Sequence, residues 1–288
     1  RVYMVLDSQR RELDSRLLFI SKCLSKNYEV TLSSKANLLR NFNKLKTGIV
    51  ILKGFGPKQF DIVERGLKFG FKFLGWDEEA ILFNDPIQIT DDKIRIDKRT
   101  LEKCNYYFSW GDNATRALKE AYPQYREKFI TTGNPRIDVL KNKYKDLYKA
   151  NSEKIKLKYG KYILFTTKFS RVNNIFEVSW MDTMKKRSLI DSKEKKEHQF
   201  RTAKLQEETF PLFLKLIKRT AKEFNDYSIL IRPHPSEKKS IYFELEKEFK
   251  NIAVCDDHIS TNNYILGSEI LISSNCTTLL ESFILNKP

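Results

Sequence analysis

Short apolar runs that end in turns of glycine or small polar residues recur along the first half of the chain. Stretches whose apolar residues have helical spacing separate them. Strands that alternate with helices in this way are typical of a parallel sheet covered by helices. The pattern therefore predicts one Rossmann-like domain over residues 1–140. The predicted strands are residues 2–6, 28–32, 48–52, 72–74, 101–104, 106–109 and 129–132.

The second half repeats this alternation after a polar, helical stretch. We interpret residues 141–160 as a helical connector and residues 161–288 as a second Rossmann-like domain. The chain ends just after a helical run, where such a domain normally supplies another strand and helix, so we expect this domain to be incomplete. The predicted fold class is α/β, with two Rossmann-like domains facing each other across a cleft.

The chain carries a net charge of +16, from 53 Lys and Arg against 37 Asp and Glu. Proteins with such an excess bind nucleic acids, anionic lipid surfaces or anionic metabolites. Zinc-finger spacing, RNP-like strands and KH loops are absent from the sequence, so we expect no nucleic-acid partner. The lysines are dispersed along the chain, which indicates either solvated helix faces or a peripheral contact with an anionic membrane.

Four cysteines are scattered without metal-ligand spacing and predict free thiols in a reducing cytoplasm. No apolar run is long enough to span a bilayer, and the first residues lack the features of a signal peptide. The acidic pairs at 91–92 and 256–257 lack the D-x-D pattern of metal-dependent sugar transferases, so we expect no metal. The expected location is the cytoplasm, including the cytoplasmic face of the inner membrane.

Two polar clusters follow apolar runs in the second half. R-P-H-P-S-E begins at residue 232 and S-S-N-C-T-T-L-L-E at residue 273. Ligands of open α/β sheets bind at the carboxyl ends of the strands, where imidazole, guanidinium and hydroxyl groups suit a phosphate. A helix that starts after the second cluster would also favour an anion. The predicted nucleotide- and phosphate-binding residues are Arg232, His234, Pro235, Ser273, Ser274, Asn275, Thr277, Thr278 and Glu281.

Each of these residues also has a structural interpretation. His234 could be a buried turn histidine, and Arg232 could pair with a nearby carboxylate. The hydroxyl groups of the second cluster could cap a helix, and Glu281 could be a solvent-facing carboxylate. Pro235 would fix the turn in either case.

Three adjacent acids, Asp77, Glu78 and Glu79, follow a predicted strand of the first half. Their mutual repulsion would raise the pKa of at least one carboxyl toward the range of a general base, although a solvated acidic loop is the alternative. With His234, they are the predicted catalytic residues. Asn134, Arg136 and Asp138 in the turn at 133–138, together with Arg11, are predicted to contact the sugar or the acceptor. A purely structural turn at 133–138 is the alternative.

Five motifs, in order along the chain, resemble bacterial surface-carbohydrate biosynthesis proteins of the GT-B glycosyltransferase class. The similarity is to the capsule and lipopolysaccharide O-antigen transferases that use CMP-activated Kdo and related keto-sugar acids. The motifs are D-S-Q-R-R-E-L-D-S-R-L-L (7–18), G-W-D-E-E-A (75–80), G-N-P-R-I-D (133–138), R-P-H-P-S-E (232–237) and S-N-C-T-T-L-L-E (274–281).

This resemblance implies a CMP-sugar donor, no metal or other cofactor, and contact of the turn at His234 and Pro235 with the CMP phosphate. It also implies that Glu78 is the general base, although Ala80 stands where the comparable acidic motif has glycine. In a reaction that retains anomeric configuration, Glu79, Glu78 or Asp138 would instead serve as nucleophile or close stabiliser.

The expected function is the transfer of a Kdo-like keto-sugar acid from a CMP-sugar to a bacterial surface polysaccharide, with a glycan or glycolipid as acceptor. Two alternatives share the fold, a nucleotide-sugar 2-epimerase and a CDP-polyol phosphotransferase with its own Arg-x-His-Pro turn. A further alternative is a non-catalytic glycan-binding protein. An epimerase would need UDP and no acceptor, whereas a non-catalytic protein would tolerate replacement of His234 or Glu78.

Overall fold

The computed structural model describes residues 1–7, 9–76, 78, 96–175, 193–274 and 276–288. The chain divides into two compact units, Arg1–Val139 and Leu140–Pro288, which are called unit 1 and unit 2 below. Each unit contains one sheet, and all strand pairings within the two sheets are parallel.

Unit 1 alternates strands and helices throughout its described residues. Its strands are β1 (Val2–Val5), β2 (Val30–Ser33), β3 (Ile49–Leu52), β4 (Lys72–Trp76), β5 (Tyr106–Ser109) and β6 (Phe129–Thr131). Its helices are α1 (Gln9–Leu24), α2 (Lys35–Asn41), α3 (Phe60–Leu67), α4 (Lys98–Lys103), α5 (Asp112–Ala121) and α6 (Pro135–Asp138). The strand order is β2-β1-β3-β4-β5-β6, so the chain changes direction across the sheet between β1 and β3.

The strands of unit 1 are apolar on both faces because helices cover both faces of the sheet. In β3, Val50 and Leu52 belong to one buried cluster and Ile51 belongs to the other. This alternation follows from the pleat, which turns successive side chains to opposite faces. Gly75 in β4 allows a close approach, since a Cβ atom there would lie 2.7 Å from the buried ring of Phe55.

One predicted strand of unit 1 is wrong. Residues 101–104 were expected to be extended, but Leu101 lies in helix α4, with Cys104 at its C-terminal end. The side chain of Asp97 accepts a hydrogen bond of 2.9 Å from the backbone N–H of Arg99 and so caps the helix. Leu101 and Cys104 are both buried, because positions three residues apart lie on the same face of a helix.

Unit 2 has a four-stranded sheet with helices α7 (Asp146–Tyr159), α8 (Lys193–Glu223), α9 (Ser240–Glu248), α10 (Thr261–Gly267) and α11 (Thr278–Ile284). Its strands are β7 (Tyr162–Thr166), β8 (Ser228–Arg232), β9 (Ile252–Val254) and β10 (Ile270–Ser273). The strand order is β10-β7-β8-β9, so the direction change lies between β7 and β10. Parallel pairing brings the ends of β10, β7 and β8 to one edge of the sheet.

The core of unit 2 forms where the central strands meet α8 and α9. Ile163 and Phe165 of β7 pack with Ile229 and Ile231 of β8. The segment 141–160, interpreted from the sequence as a connector, contains α7, which packs against α10 within unit 2. No helix among the residues that the structure describes has the long, uncharged apolar stretch that crossing a membrane requires.

Candidate functional site

The turn that follows β8 holds His234 in a defined orientation. The backbone N–H of His234 donates to Thr167 Oγ1 at 3.3 Å. Its Nδ1 atom lies 2.6 Å from Ser236 Oγ and accepts from the backbone N–H of Ser236 at 3.3 Å. An Nδ1 that accepts hydrogen bonds places the proton of a neutral imidazole on Nε2. The half-buried ring therefore carries its proton on Nε2, in the turn at the carboxyl edge of the sheet.

A buried carboxylate holds this turn in place through hydrogen bonds. Glu237 is fully buried and accepts hydrogen bonds from Thr167 Oγ1 (3.0 and 3.1 Å), the backbone N–H of Phe169 (2.9 Å) and the hydroxyl of Tyr242 (2.5 Å). Burial raises the pKa of Glu237, and the hydrogen bonds from Tyr242, Phe169 and Thr167 oppose that rise. Because Thr167 also accepts from the His234 backbone, Glu237 and His234 are connected through one hydroxyl group.

Hydroxyl groups join the ends of β7 and β10. Thr166 Oγ1 donates to Ser273 Oγ at 2.8 Å and lies 2.9 Å from Thr278 Oγ1, and Ser274 Oγ accepts from the backbone N–H of Lys168 at 2.8 Å. Thr277 stands before α11 without a side-chain capping bond, so it does not cap the helix in the described structure. Glu281 is half-buried in the first turn of α11 rather than solvent-facing. Asn275 lies outside the described residues.

Arg232 is directed toward the loop that follows β9. Its side chain is 7% exposed, donates to Asp257 Oδ1 at 3.1 Å and to Thr261 Oγ1 at 3.1 Å, and also bonds the carbonyl oxygen of Ile259. The guanidinium lies 4.6 Å from the ring centroid of Tyr264. These contacts give Arg232 a structural role in unit 2, while its contact with a phosphate stays a prediction.

A cluster of four charged side chains, three of them buried and one half-buried, lies at the carboxyl edge of the sheet in unit 1. Glu78 is fully buried and forms an ion pair with Arg16, whose Nε donates to the carbonyl oxygen of Val5 at 3.2 Å. Glu12, also buried, pairs with Lys53 Nζ at 2.7 Å. The cluster lies beside the direction change between β1 and β3, where ligands of open α/β sheets commonly bind.

The two carboxyl groups of this cluster have different ionisation properties. Burial raises the pKa of Glu78 above its ordinary value, although the positive charges of Arg16 and Arg136 oppose the rise. Burial alone would also raise the pKa of Glu12, but the hydrogen bond and charge of Lys53 bring it below the ordinary value. Glu78 is therefore the carboxyl in this cluster that is more easily protonated, as expected of a group that exchanges a proton.

The turn after β6 approaches the cluster within unit 1. Trp76 Nε1 donates to the carbonyl oxygen of Gly133 at 3.1 Å, which ties the end of β4 to this turn. Asn134 is buried and caps α6 by accepting from the backbone N–H of Arg136 at 2.9 Å. Asp138 is the last residue of that short helix.

Some predicted residues lie outside the part of the chain that the structure describes. Asp77 and Glu79 are not among the described residues, nor is the side chain of Arg11. The structure thus brings together Glu78 with Arg136 in unit 1, and His234 with the Thr167 hydroxyl after β7 in unit 2, while the hydroxyls at the end of β10 bond to the end of β7. The sequence analysis missed Glu12, Arg16 and Lys53 in unit 1, and Thr166, Thr167 and Glu237 in unit 2. No three metal-ligating side chains converge in the part of the chain described above.

Comparison with known families decides the broader relationship. Residues 69–288 match the family described as CDP-glycerol:poly(glycerophosphate) glycerophosphotransferase. The chain belongs to this family. The match includes all of unit 2 and, from unit 1, the end of β4 and the turn after β6. No curated protein matches the sequence at a significant level.

Solved structures show the same fold at low sequence identity. The S. aureus MnaA–UDP structure has a TM-score of 0.61 and 16% identity, with 100% of this chain and 78% of that chain covered. A variant of the wall teichoic acid polymerase TagF, soaked with CDPG, has a TM-score of 0.56 and 14% identity, with 100% and 68% covered. The UDP-GlcNAc 2-epimerase from Methanocaldococcus jannaschii has a TM-score of 0.57 and 14% identity, with 100% and 81% covered.

These comparisons confirm the α/β fold class with Rossmann-like parallel sheets of the GT-B type. They also confirm the coarser prediction of a transferase related to bacterial surface-polymer biosynthesis. The finer prediction, a Kdo transferase that uses a CMP-sugar, has no support from the family or from these structures. The family agrees instead with the CDP-polyol phosphotransferase that the Arg-x-His-Pro turn had suggested as an alternative.

Proposed function

We propose that this chain transfers glycerol phosphate, or a closely related polyol phosphate, from a CDP-activated donor to a hydroxyl group of a growing surface polymer. The single observation that carries the proposal is the family match over residues 69–288. The fold shared with TagF soaked with CDPG, and with MnaA in complex with UDP, supports a nucleoside diphosphate donor.

In this proposal His234 acts on the donor. When the acceptor oxygen attacks the phosphorus next to the glycerol, the bridging P–O bond breaks and CMP leaves with negative charge. An imidazole Nε2–H aimed at the leaving phosphate stabilises that charge in the transition state. The bonds from Ser236 to Nδ1 support this role, because they fix the ring and its tautomer. Ser273, Ser274, Thr277, Thr278, Pro235 and Asn275 remain proposed neighbours of the donor phosphates, and Glu281 of its ribose.

Glu78 is the proposed general base, and it takes the proton of the attacking hydroxyl group. Its raised pKa brings the carboxyl closer to the range in which proton transfer from a hydroxyl is effective. Arg136 lies close enough to influence that pKa, which supports its proposed place beside the acceptor. Asp77, Glu79, Asp138 and Arg11 stay in the proposal as further candidates on the acceptor side.

The test is a donor comparison on the purified chain with a short glycerol phosphate oligomer as acceptor. CDP-glycerol, CMP-Kdo and UDP-GlcNAc are supplied separately, and product formation is followed by mass spectrometry. We expect transfer from CDP-glycerol. Exclusive use of CMP-Kdo would restore the keto-sugar transferase, and epimerisation of UDP-GlcNAc without an acceptor would favour the epimerase.

A variant pair tests the role of His234. Loss of one donor to a developing charge lowers kcat by about 10²–10³-fold, and we expect that loss for His234→Ala. His258→Ala is the matched control, because this exposed imidazole lies in the loop after β9 of the same unit. Equal kcat values for the two variants would contradict the role of His234.

We propose that the reaction needs no metal or other cofactor. We also propose that the basic chain makes a peripheral contact with an anionic membrane. The net charge of +16 supports electrostatic binding, which salt would weaken. Sedimentation with vesicles of phosphatidylglycerol and phosphatidylcholine measures this contact. Binding should require the anionic lipid and fall between 0.05 and 0.5 M salt, as expected when the Debye length shortens from roughly 14 Å to about 4 Å. Equal binding to neutral vesicles would contradict it.

A further inference from the structure

Four buried polar atoms among the described residues of unit 1 have no hydrogen-bond partner, and two of them follow strands β4 and β6 of the sheet. These two are Glu78 Oε2, on a side chain that is fully buried, and Asn134 Nδ2, on a side chain that is 3% exposed. Leaving a buried polar group without a hydrogen bond is unfavourable, so native proteins satisfy the large majority of them. Here one atom is an acceptor and the other is a donor.

The two atoms belong to turns that the fold holds close together. Glu78 follows β4 and Asn134 follows β6, with only β5 between these strands in the sheet. The hydrogen bond from Trp76 Nε1 to the Gly133 carbonyl oxygen joins the residues just before each turn. Arg136, two residues after Asn134, acts electrostatically on the Glu78 carboxylate.

Each side chain is fixed through its other polar atom. Arg16 binds Glu78 Oε1, and the backbone N–H of Arg136 binds Asn134 Oδ1 at 2.9 Å. Arg16 is itself held by the carbonyl oxygen of Val5 and by Glu12, which lies 3.9 Å from its Nη2. Glu78 and Asn134 therefore present Oε2 and Nδ2 in set orientations, and Arg16 and Glu12 act as positioning residues.

A hydroxyl group is the chemical group that satisfies both atoms at once, because it accepts one hydrogen bond and donates another. We propose that Asn134 Nδ2 and Glu78 Oε2 bind the reacting hydroxyl of a polyol phosphate chain end, with Asn134 donating to its oxygen and Glu78 accepting its hydrogen. This inference rests on the proposed function for the identity of the acceptor. The positive charge of Arg136 suits the phosphodiester next to such a hydroxyl.

The attack of this hydroxyl group forms one bond to phosphorus and breaks another. The hydroxyl oxygen forms a bond to the phosphorus that carries glycerol, its proton passes to Glu78 Oε2, and the bond from that phosphorus to the bridging oxygen breaks. CMP takes the electron pair of the broken bond. Asn134 contributes by holding the oxygen in place, and its hydrogen bond is made before the reaction as well as during it.

The experiment measures acceptor and donor dependence separately for Asn134→Ala, Glu78→Gln and the control Asn43→Ala, whose side chain is exposed. A lost hydrogen bond of about 0.5–1.5 kcal/mol raises the acceptor KM of Asn134→Ala by about 2–12-fold, with the KM for CDP-glycerol unchanged. Glu78→Gln should lower kcat by about 10²–10⁴-fold, because an amide cannot take the proton. The control should match the wild-type enzyme.

Direct binding of a glycerol phosphate oligomer, measured by ligand-observed NMR without any donor, separates this inference from the proposed function. One outcome is that the wild-type chain binds the oligomer and Asn134→Ala weakens that binding, while no glycerol phosphate is transferred from CDP-glycerol. In that case the hydroxyl site stands and the proposed function fails. If transfer occurs but Asn134→Ala leaves the acceptor KM and oligomer binding unchanged, the hydroxyl site is wrong. Thermal unfolding of each variant checks its folding, and Asn134→Ser provides a smaller change at the same position if Asn134→Ala unfolds.

Discussion

Replacement of Glu237 tests the connection between the core of unit 2 and the His234 turn. The carboxylate is fully buried and accepts hydrogen bonds from the hydroxyls of Thr167 and Tyr242 and from the backbone N–H of Phe169. In Glu237→Ala these three buried donors lose their acceptor. Each loss costs about 1–3 kcal/mol, and rotation of the two hydroxyls offsets part of it, so we expect a destabilisation of about 3–5 kcal/mol.

Glu237→Gln should be milder because the amide keeps the shape of the side chain. Its oxygen can accept a hydrogen bond from the Phe169 N–H. Its NH₂ group then lies beside the Tyr242 hydroxyl, which can rotate to accept a hydrogen bond from it. The amide offers one acceptor oxygen where the carboxyl group offers two, and we expect a destabilisation of about 1–2 kcal/mol. Glu244→Gln on α9 is the control. Its exposed carboxylate pairs with Lys247, and such surface pairs contribute about 0–1 kcal/mol.

The stability that Glu237 contributes should fall as the pH rises. Burial raises the pKa of Glu237 in the folded state, so the folded chain holds this proton more tightly than the unfolded chain does. The resulting stability is fully present below the unfolded pKa of about 4.3 and is lost as the pH rises through the folded value. Glutamine does not titrate. The stability difference between wild type and Glu237→Gln should therefore be largest near pH 4 and should shrink as the pH rises.

Urea unfolding between pH 4 and pH 8 measures these differences, with hydrogen exchange on peptides from β7 and β8 to report unit 2 alone. Reporting on one unit matters because a chain with two units need not unfold in a single transition. A difference that grows with pH would refute the argument about Glu237 ionisation. Glu237→Ala behaving like Glu244→Gln would refute the role of the buried hydrogen bonds.

Two further predictions concern close packing and the buried guanidinium. Gly75→Ala places a methyl group against the buried Phe55 ring, which should destabilise unit 1 by about 1–3 kcal/mol in thermal unfolding; an unchanged Tm would contradict it. Arg232→Lys loses the guanidinium hydrogen bonds to Asp257 and Thr261 and the stacking on Tyr264, so the Tm should fall and the loop after β9 should exchange amide hydrogens faster. An unchanged Tm with lost CDP-glycerol binding would instead show that Arg232 contacts the donor.

The sequence predicts the sheets of this chain well because parallel strands are short, apolar and buried on both faces. Runs such as Ile229 to Ile231 and Val50 to Leu52 are typical of strands that helices cover on both faces. The strand predicted at residues 101–104 was wrong because buried apolar residues also occur in helices. Leu101 and Cys104 are buried and apolar, as strand residues would be, but charged residues lie between them, and a spacing of three residues fits one face of a helix. The cap at Asp97 was the missing signal.

The charged cluster of unit 1 was harder to predict, because its pairs join residues far apart in the sequence. The apolar spacing of α1 predicts the helix, yet Leu17 is half-exposed while Glu12 and Arg16 are buried. Charged residues four positions apart on a helix usually lie on a solvated face. Lys53 and Glu78, which follow β3 and β4, pair with Glu12 and Arg16 and so offset the cost of burying their charges.

The hydroxyl groups at the end of β10 show what a motif can and cannot predict. Ser273 and Thr278 were predicted to bind a phosphate because they lie between a strand end and a helix start, but both take part in hydrogen bonds with Thr166 that join the ends of β7 and β10. Ser274 differs, because it accepts a bond from the backbone N–H of Lys168 and still has its own hydrogen to donate. A hydroxyl that accepts from the protein is oriented and polarised as a donor. Among these hydroxyls, Ser274 is therefore the one whose geometry best suits a donor phosphate.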